Sequence, residues 1–211
     1  GSISAPALSH YSAQMAGYDV LSGVYNYGDN KGLAQLTLSA RAQTAALEAM
    51  GDYRGTVAVY NYKTGELLCA VTTPTYDPDN VPEFDQEDAG VYEGIYVNRF
   101  TQSSYIPGSI FKVVTLAAAL ETIPDIESQT FSCNGSLEFG VDKIVCEDPH
   151  WDQTLQQAFR NSCNCAFAQI AELIGKDRMT DYVDRFGITD PISFDGITTV
   201  GGHFSVEGAS P

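Results

Sequence analysis

Tyr105-Ile106-Pro107-Gly108-Ser109-Ile110-Phe111-Lys112, running on into Val113-Val114-Thr115-Leu116-Ala117-Ala118-Ala119-Leu120, is the stretch that decides how this chain is read. The part after Lys112 carries almost no polar atoms. It is too apolar for a surface helix and too short to cross a bilayer, which takes about 20 residues. It therefore predicts the buried central helix of a globular domain. Pro107 and Gly108 suit the entry to such a helix and put Ser109 in its first turn. Residues three apart share a helix face, so Ser109 and Lys112 can touch. A serine hydroxyl becomes a useful nucleophile when a neighbouring base takes its proton. Lysine is such a base once burial or a helix N-terminus lowers its pKa from about 10.4. The spacing alone decides little: 16 serines and 5 lysines in 211 residues give about 0.4 matches to S-x-x-K by chance. A serine cap followed by a lysine lying along the surface fits the same letters.

Composition narrows the class. Hydrophobic residues make up 44% and charged residues 18%, a balance that builds a core and argues against wholesale disorder. The net charge of −16 repels nucleic-acid phosphates and anionic lipid, so neither is expected as a partner. No stretch is long and apolar enough to span a membrane. Gly1-Ser2 reads as a cloning remnant, so an anchor or leader could have been cut away, and its absence from this sequence says little. Of the five cysteines, Cys133 and Cys146 bracket a segment with turn residues at both ends and an apolar-alternating middle, a hairpin or small flap. A disulfide is expected there, worth about 3 kcal/mol by loop closure and pointing to an oxidising, extracytoplasmic compartment. Two free buried thiols are the alternative. Cys69 sits in an apolar run and reads as core. No C-x-x-C pairs with a second ligand cluster, so no zinc site and no cofactor is expected.

Along the chain, residues 1–32 have little periodicity and read as a lead-in or the remnant of an upstream domain. Leu33 to Leu38 predicts a short strand, and Ser39 caps a helix from Ala40 to about Met50. Thr56–Asn61 and Glu66–Thr72 predict strands joined by a Tyr62-Lys63-Thr64-Gly65 turn. Residues 81–97 are acidic and read as an exposed excursion. Beyond the cysteine-bracketed flap, Thr154–Arg160 predicts a short helix. Ala166 to about Ile174 predicts a longer one ended by Gly175, and Arg178 to Phe186 a third. The tail carries no recognisable element. Hairpin strands with several helices give an α+β class with an antiparallel sheet packed with helices.

A second constellation, Ser162-Cys163-Asn164, opens a helix. Its hydroxyl can relay a proton and its amide can bind a peptide group; capping a helix is the plainer role for such residues. The same tripeptide recurs at Ser132-Cys133-Asn134, where Cys133 belongs to the flap and Gly135 follows in place of a helix. S-x-x-K with a later S-x-N resembles the serine penicillin-binding proteins and β-lactamases. Asn98-Arg99 followed by Tyr105-x-Pro107-Gly108-Ser109-x-Phe111-Lys112 is similar to the active-site segment of penicillin-binding transpeptidases. Val57-Ala58-Val59, Lys63-Thr64-Gly65-Glu66-Leu67-Leu68-Cys69-Ala70 and Tyr76-Asp77-Pro78-Asp79-Asn80 resemble earlier parts of that domain. Ser162-Cys163-Asn164-x-Ala166-Phe167 is similar to the monofunctional division-type and sporulation-type branch.

The resemblance implies the penicillin-binding transpeptidase and serine β-lactamase fold, and a D,D-transpeptidase that cross-links peptidoglycan stem peptides and is blocked by β-lactams. It implies Ser109 as nucleophile, Lys112 as its base, Ser162 as proton relay and Asn164 as the group holding Lys112 and the substrate amide. The Ser109 N–H would supply half of an oxyanion hole. The implied location is the extracytoplasmic face of the bacterial cytoplasmic membrane, with cell-wall synthesis or division proteins as further partners. A β-lactam-hydrolysing or β-lactam-sensing relative, or a non-catalytic assembly scaffold, are the alternatives. The family's third motif, K-T-G, follows the nucleophile, whereas Lys63-Thr64-Gly65 precedes it in a hairpin turn. Residues 33–211 therefore read as a transpeptidase domain lacking its C-terminal K-T-G part, a fragment expected to be inactive or weak alone.

Overall fold

Ser39 and Gly51 bound the first helix as their chemistry predicts. The Ser39 hydroxyl accepts from the Ala42 N–H at 3.3 Å, and α1 (Ala40–Met50) ends where Gly51 takes a φ of 47°. The protein's structure, a computed structural model, describes residues 36–206 except 78–79, 82, 84–89, 91–92, 140–141 and 195–196. It also describes the antiparallel pair β1 (Tyr18–Asp19) and β2 (Val24–Tyr25). The rest of the expected lead-in and most of the acidic excursion lie outside the described residues. The chain divides into two compact units, Gly1–Ser104 with Pro191–Val200, and Tyr105–Asp190 with Gly201–Pro211.

In the first unit, β3 (Gly55–Tyr60) and β4 (Leu67–Thr73) form the expected antiparallel hairpin, with Val57 opposite Val71 and a bulge between Val59 and Tyr60. Gly65, at φ 77°, closes its turn by donating to the Asn61 carbonyl at 2.8 Å. Met50, Cys69 and Val71 bury one face against Ala42, Ala46 and Val57. The Ala70 N–H donates to Gln43 Oε1 at 2.6 Å and ties helix to hairpin. The expected strand at 33–38 does not form among its described residues. Leu36–Leu38 is irregular, and the Thr37 hydroxyl, not a backbone ladder, reaches the Leu67 carbonyl at 2.6 Å. Asn98 caps a short helix, α2 (Arg99–Gln102), and the Arg99 guanidinium donates to the Gly94 carbonyl at 3.0 Å. The tail, expected to lack structure, pairs β9 (Ser193–Phe194) with β10 (Ile197–Thr198).

The second unit is built on α3 (Lys112–Thr122), α5 (Asn164–Ile174) and α6 (Lys176–Arg185), packed on one another. On α5 the buried Phe167, Ile170 and Ile174, and on α6 the buried Met179, Tyr182 and Val183, fall at helical spacing and face the core. Ala118 and Ala119, fully buried on α3, let these helices approach closely. The sequence predicts a buried central helix, but one side of it is open: Val113 and Leu120 are 49% and 47% exposed. Here β5 (Thr130–Cys133) pairs with β8 (Trp151–Thr154), and β6 (Ser136–Phe139) with β7 (Asp142–Val145), both antiparallel. The short α4 (Leu155–Arg160) starts at a reciprocal Thr154–Gln157 capping box. Helices with exclusively antiparallel strand pairs among the described residues make the class α+β, with the strands in two-stranded ribbons in place of one broad sheet.

The expected Cys133–Cys146 disulfide is absent, and all five cysteines are free thiols. The physical reason lies in the company these sulfurs keep. Cys146 Sγ approaches Cys163 Sγ at 3.8 Å and Cys165 Sγ at 3.6 Å, while Cys133 Sγ faces His150 Nδ1 at 3.6 Å.

Candidate active site

Gly108, at φ 58°, lets the chain turn into a single 3₁₀ turn, Gly108–Phe111, that leads straight into α3. Ser109 stands exposed on that turn and Lys112 half-buried at the first residue of the helix. Across from them, Cys163 caps α5 through its sulfur, which accepts from the Ala166 N–H at 3.4 Å. That cap leaves Ser162 and Asn164 exposed on either side. Ser162 adopts a left-handed φ of 49°, a strained conformation for a residue with a side chain.

All four residues singled out from the sequence meet at one atom. Lys112 Nζ lies 3.2 Å from Ser109 Oγ, 3.0 Å from Ser162 Oγ, 2.6 Å from the Ser162 carbonyl and 2.6 Å from Asn164 Oδ1. Asn164 cannot turn its amide over without loss, because Nδ2 donates to the Val145 carbonyl at 2.9 Å. Two of the four neighbours are carbonyl oxygens, which only accept. A neutral lysine has two N–H groups and one lone pair. With both N–H groups held by the Ser162 carbonyl and Asn164 Oδ1, the lone pair is left for a hydroxyl proton. Burial pushes the Lys112 pKa down, toward that neutral form, while the nearby Cys146 and Cys163 sulfurs act against the shift. The arrangement can deprotonate Ser109 and pass the proton to Ser162, each within hydrogen-bond reach.

Two further residues complete the surroundings, neither singled out as a site residue from the sequence. Val145 contributes only its carbonyl, so no side-chain signal could reveal it. Phe167 lies with its ring centroid 5.7 Å from Lys112 Nζ, one helical turn from Asn164. Its place in Asn164-x-Ala166-Phe167 was the available signal. Phe111 stacks on Phe204 at 5.9 Å and steadies the nucleophile turn from behind. Lys63-Thr64-Gly65 lies in the β3–β4 turn, where the sequence put it.

Known proteins match this architecture. The penicillin binding protein transpeptidase domain family matches residues 55–210. The peptidoglycan D,D-transpeptidase PbpA of Mycolicibacterium smegmatis is 32% identical over 182 residues, 76% of this chain and 36% of that protein. Stage V sporulation protein D of Bacillus subtilis is 32% identical over 171 residues, 76% of this chain and 26% of that protein. The crystal structure of PBPA from Mycobacterium tuberculosis covers 100% of this chain and 55% of its own, at TM-score 0.79 and 25% identity. The penicillin G acyl-enzyme of the same protein covers 87% and 48%, at TM-score 0.68 and 25% identity. The chain thus spans well under half the length of the curated relatives it matches. With the family pattern matching residues 55–210, a span that includes the nucleophile turn and the cap of α5, the chain belongs to the penicillin-binding protein transpeptidase family.

Proposed function

We propose that this chain carries the acylation machinery of a D,D-transpeptidase of peptidoglycan synthesis, with Ser109 as the nucleophile. The observation that carries the reading is the convergence at Lys112 Nζ: two acceptor-only oxygens at 2.6 Å orient the amine, with the Ser109 and Ser162 hydroxyls at 3.2 Å and 3.0 Å from it. Ser109 Oγ attacks the carbonyl of the penultimate D-alanine of a stem peptide while Lys112 Nζ takes the hydroxyl proton. The Ser109 N–H, at the free start of the 3₁₀ turn, donates to the developing oxyanion. Ser162 Oγ returns the proton to the departing D-alanine amine, so the C–N bond breaks and an acyl-serine ester remains. An amine of a second stem peptide then attacks that ester, giving its proton back through the same groups, and Ser109 is restored. A β-lactam enters by the same attack, but its amine stays tethered after ring opening, so the adduct persists.

This reading puts the domain on the extracytoplasmic face of the bacterial cytoplasmic membrane, among cell-wall synthesis or division proteins. Among the described residues no helix is long and apolar enough to cross a membrane. Labelling of the full-length protein with a fluorescent penicillin tests the proposal. A stable adduct is expected. Rapid loss of the label would instead make the protein a β-lactam hydrolase, and failure to label would make it a scaffold.

A further inference from the structure

Four potential ligands converge beside the second motif. Cys133 ends β5, Cys146 follows β7, His150 precedes β8 and Cys163 caps α5; their ligand atoms all lie within 4.8 Å of one another. The three cysteines are 1%, 8% and 0% exposed. A tetrahedral zinc with Zn–S bonds of about 2.3 Å and a Zn–N bond of about 2.0 Å requires S–S edges of about 3.8 Å and S–N edges of about 3.5 Å. The Cys146–Cys163 separation is 3.8 Å and the Cys133–His150 separation 3.6 Å. Backbone bonds already fix the frame: the Cys146 N–H donates to the Gly135 carbonyl at 2.9 Å and the His150 N–H to the Cys133 carbonyl at 3.0 Å.

A second observation points the same way. Gln153 is 2% exposed, and its amide nitrogen has no hydrogen-bond partner. Its Oε1 accepts from the Asn161 amide at 3.2 Å, which leaves the amide N–H groups as buried donors, and donors to ligating sulfurs are the usual outer shell of such sites. The sequence hid the cluster because its ligands come from four elements, with no C-x-x-C among them.

We propose that Cys133, Cys146, His150 and Cys163 bind a structural zinc ion. Binding releases three thiol protons to solvent and forms three Zn–S bonds and one Zn–N bond, with no redox change. Cys165, 3.6 Å from Cys146, is the neighbouring thiol left outside the set. Because Cys163 stands between Ser162 and Asn164, the ion also joins both ribbons to the start of α5 and holds the backbone from which those side chains reach Lys112. This positioning role rests on the function proposed above; metal binding does not.

The test is metal analysis of the full-length protein purified without chelator and reconstituted with zinc under reducing conditions. One zinc per chain is expected. Cobalt(II) in its place should give the intense visible bands of a tetrahedral site with a thiolate charge-transfer band. Cys133→Ser and Cys146→Ser should lose the metal, while Cys165→Ala should keep it. Substoichiometric zinc with freely titrating thiols, or the weak spectrum of octahedral cobalt, overturns the site. Should the serine variants fail to fold, the cobalt spectrum of the unmodified protein decides the matter alone. Removing the metal by chelation should slow β-lactam acylation by about 10- to 100-fold, as expected from displaced reacting groups, with recovery on adding zinc back. Unchanged acylation in metal-free protein overturns the positioning role.

Discussion

Asn164→Asp tests the proton accounting at Lys112 with little change of shape. The residue's Oδ1 lies 2.6 Å from Lys112 Nζ. At that distance a unit charge pair is worth about 1.6 kcal/mol in water and about 6 kcal/mol at an effective dielectric of 20. Asn164 is exposed and Lys112 half-buried, so the lower part of that range applies, about 1.5–3 kcal/mol, or about 1–2 pKa units. The new carboxylate favours the ammonium and raises the Lys112 pKa, opposing the downward push of burial. Below the pKa, the neutral fraction at a fixed pH then falls about 10- to 100-fold, and acylation falls with it. A second consequence is independent of this titration: an ionised aspartate cannot donate to the Val145 carbonyl, now bonded at 2.9 Å, at a cost of about 1 kcal/mol. The assay is the second-order rate of fluorescent-penicillin acylation over a pH series from neutral to strongly alkaline, with thermal unfolding alongside. The loss should be largest near neutrality and shrink as the pH rises through the raised pKa. A profile superposable on that of the parent, or a loss constant across the series, refutes the assignment of Lys112 as base.

Further outcomes follow from the same structure. In the parent protein, burial lowers the Lys112 pKa, so acylation should rise with pH and level off below the ordinary lysine value; a flat profile contradicts this. Gly108→Ala meets no atom within 4 Å but keeps a φ of 58°. It should cost about 1–2 kcal/mol of backbone strain and slow acylation by shifting Ser109, read from denaturant midpoints and labelling rates; parental values for both would count against it. Ile170→Ala empties a fully buried position of the second unit and should lower unfolding free energy by about 2–5 kcal/mol. A loss under about 1 kcal/mol in urea would show that α5 is not the core element described.

Local chemistry was legible in the sequence, and distant pairing was not. Ser39, Thr154 and Gly175 marked helix ends because each acts on the turn beside it. The start of α5 fell two residues earlier than expected, at Asn164 instead of Ala166, because its cap is a thiol, Cys163, which sequence preferences do not flag. Cys133–Cys146 was recognised as a flap, but nothing local says that Thr130–Cys133 pairs with Trp151–Thr154 beneath it. The same limit misdirected the cysteines. Bracketing suggested that Cys133 and Cys146 bond each other, whereas the fold brings His150 and Cys163 in from two further elements. At the site, helical spacing showed only that Ser109 and Lys112 can touch; the family resemblance gave them their roles. Ser162 and Asn164 needed the family resemblance, and the Val145 carbonyl that fixes Asn164 left no trace, since any residue has one.

Acylation at Ser109 is the claim on which the rest depends. Peptide mapping by mass spectrometry after penicillin G treatment of the full-length protein tests it directly. The expected result is one ring-opened penicillin on the peptide holding Ser109, located on that residue and absent from Ser109→Ala, which folds normally because the hydroxyl is exposed. An adduct on a different residue, or one that persists in Ser109→Ala, contradicts the account.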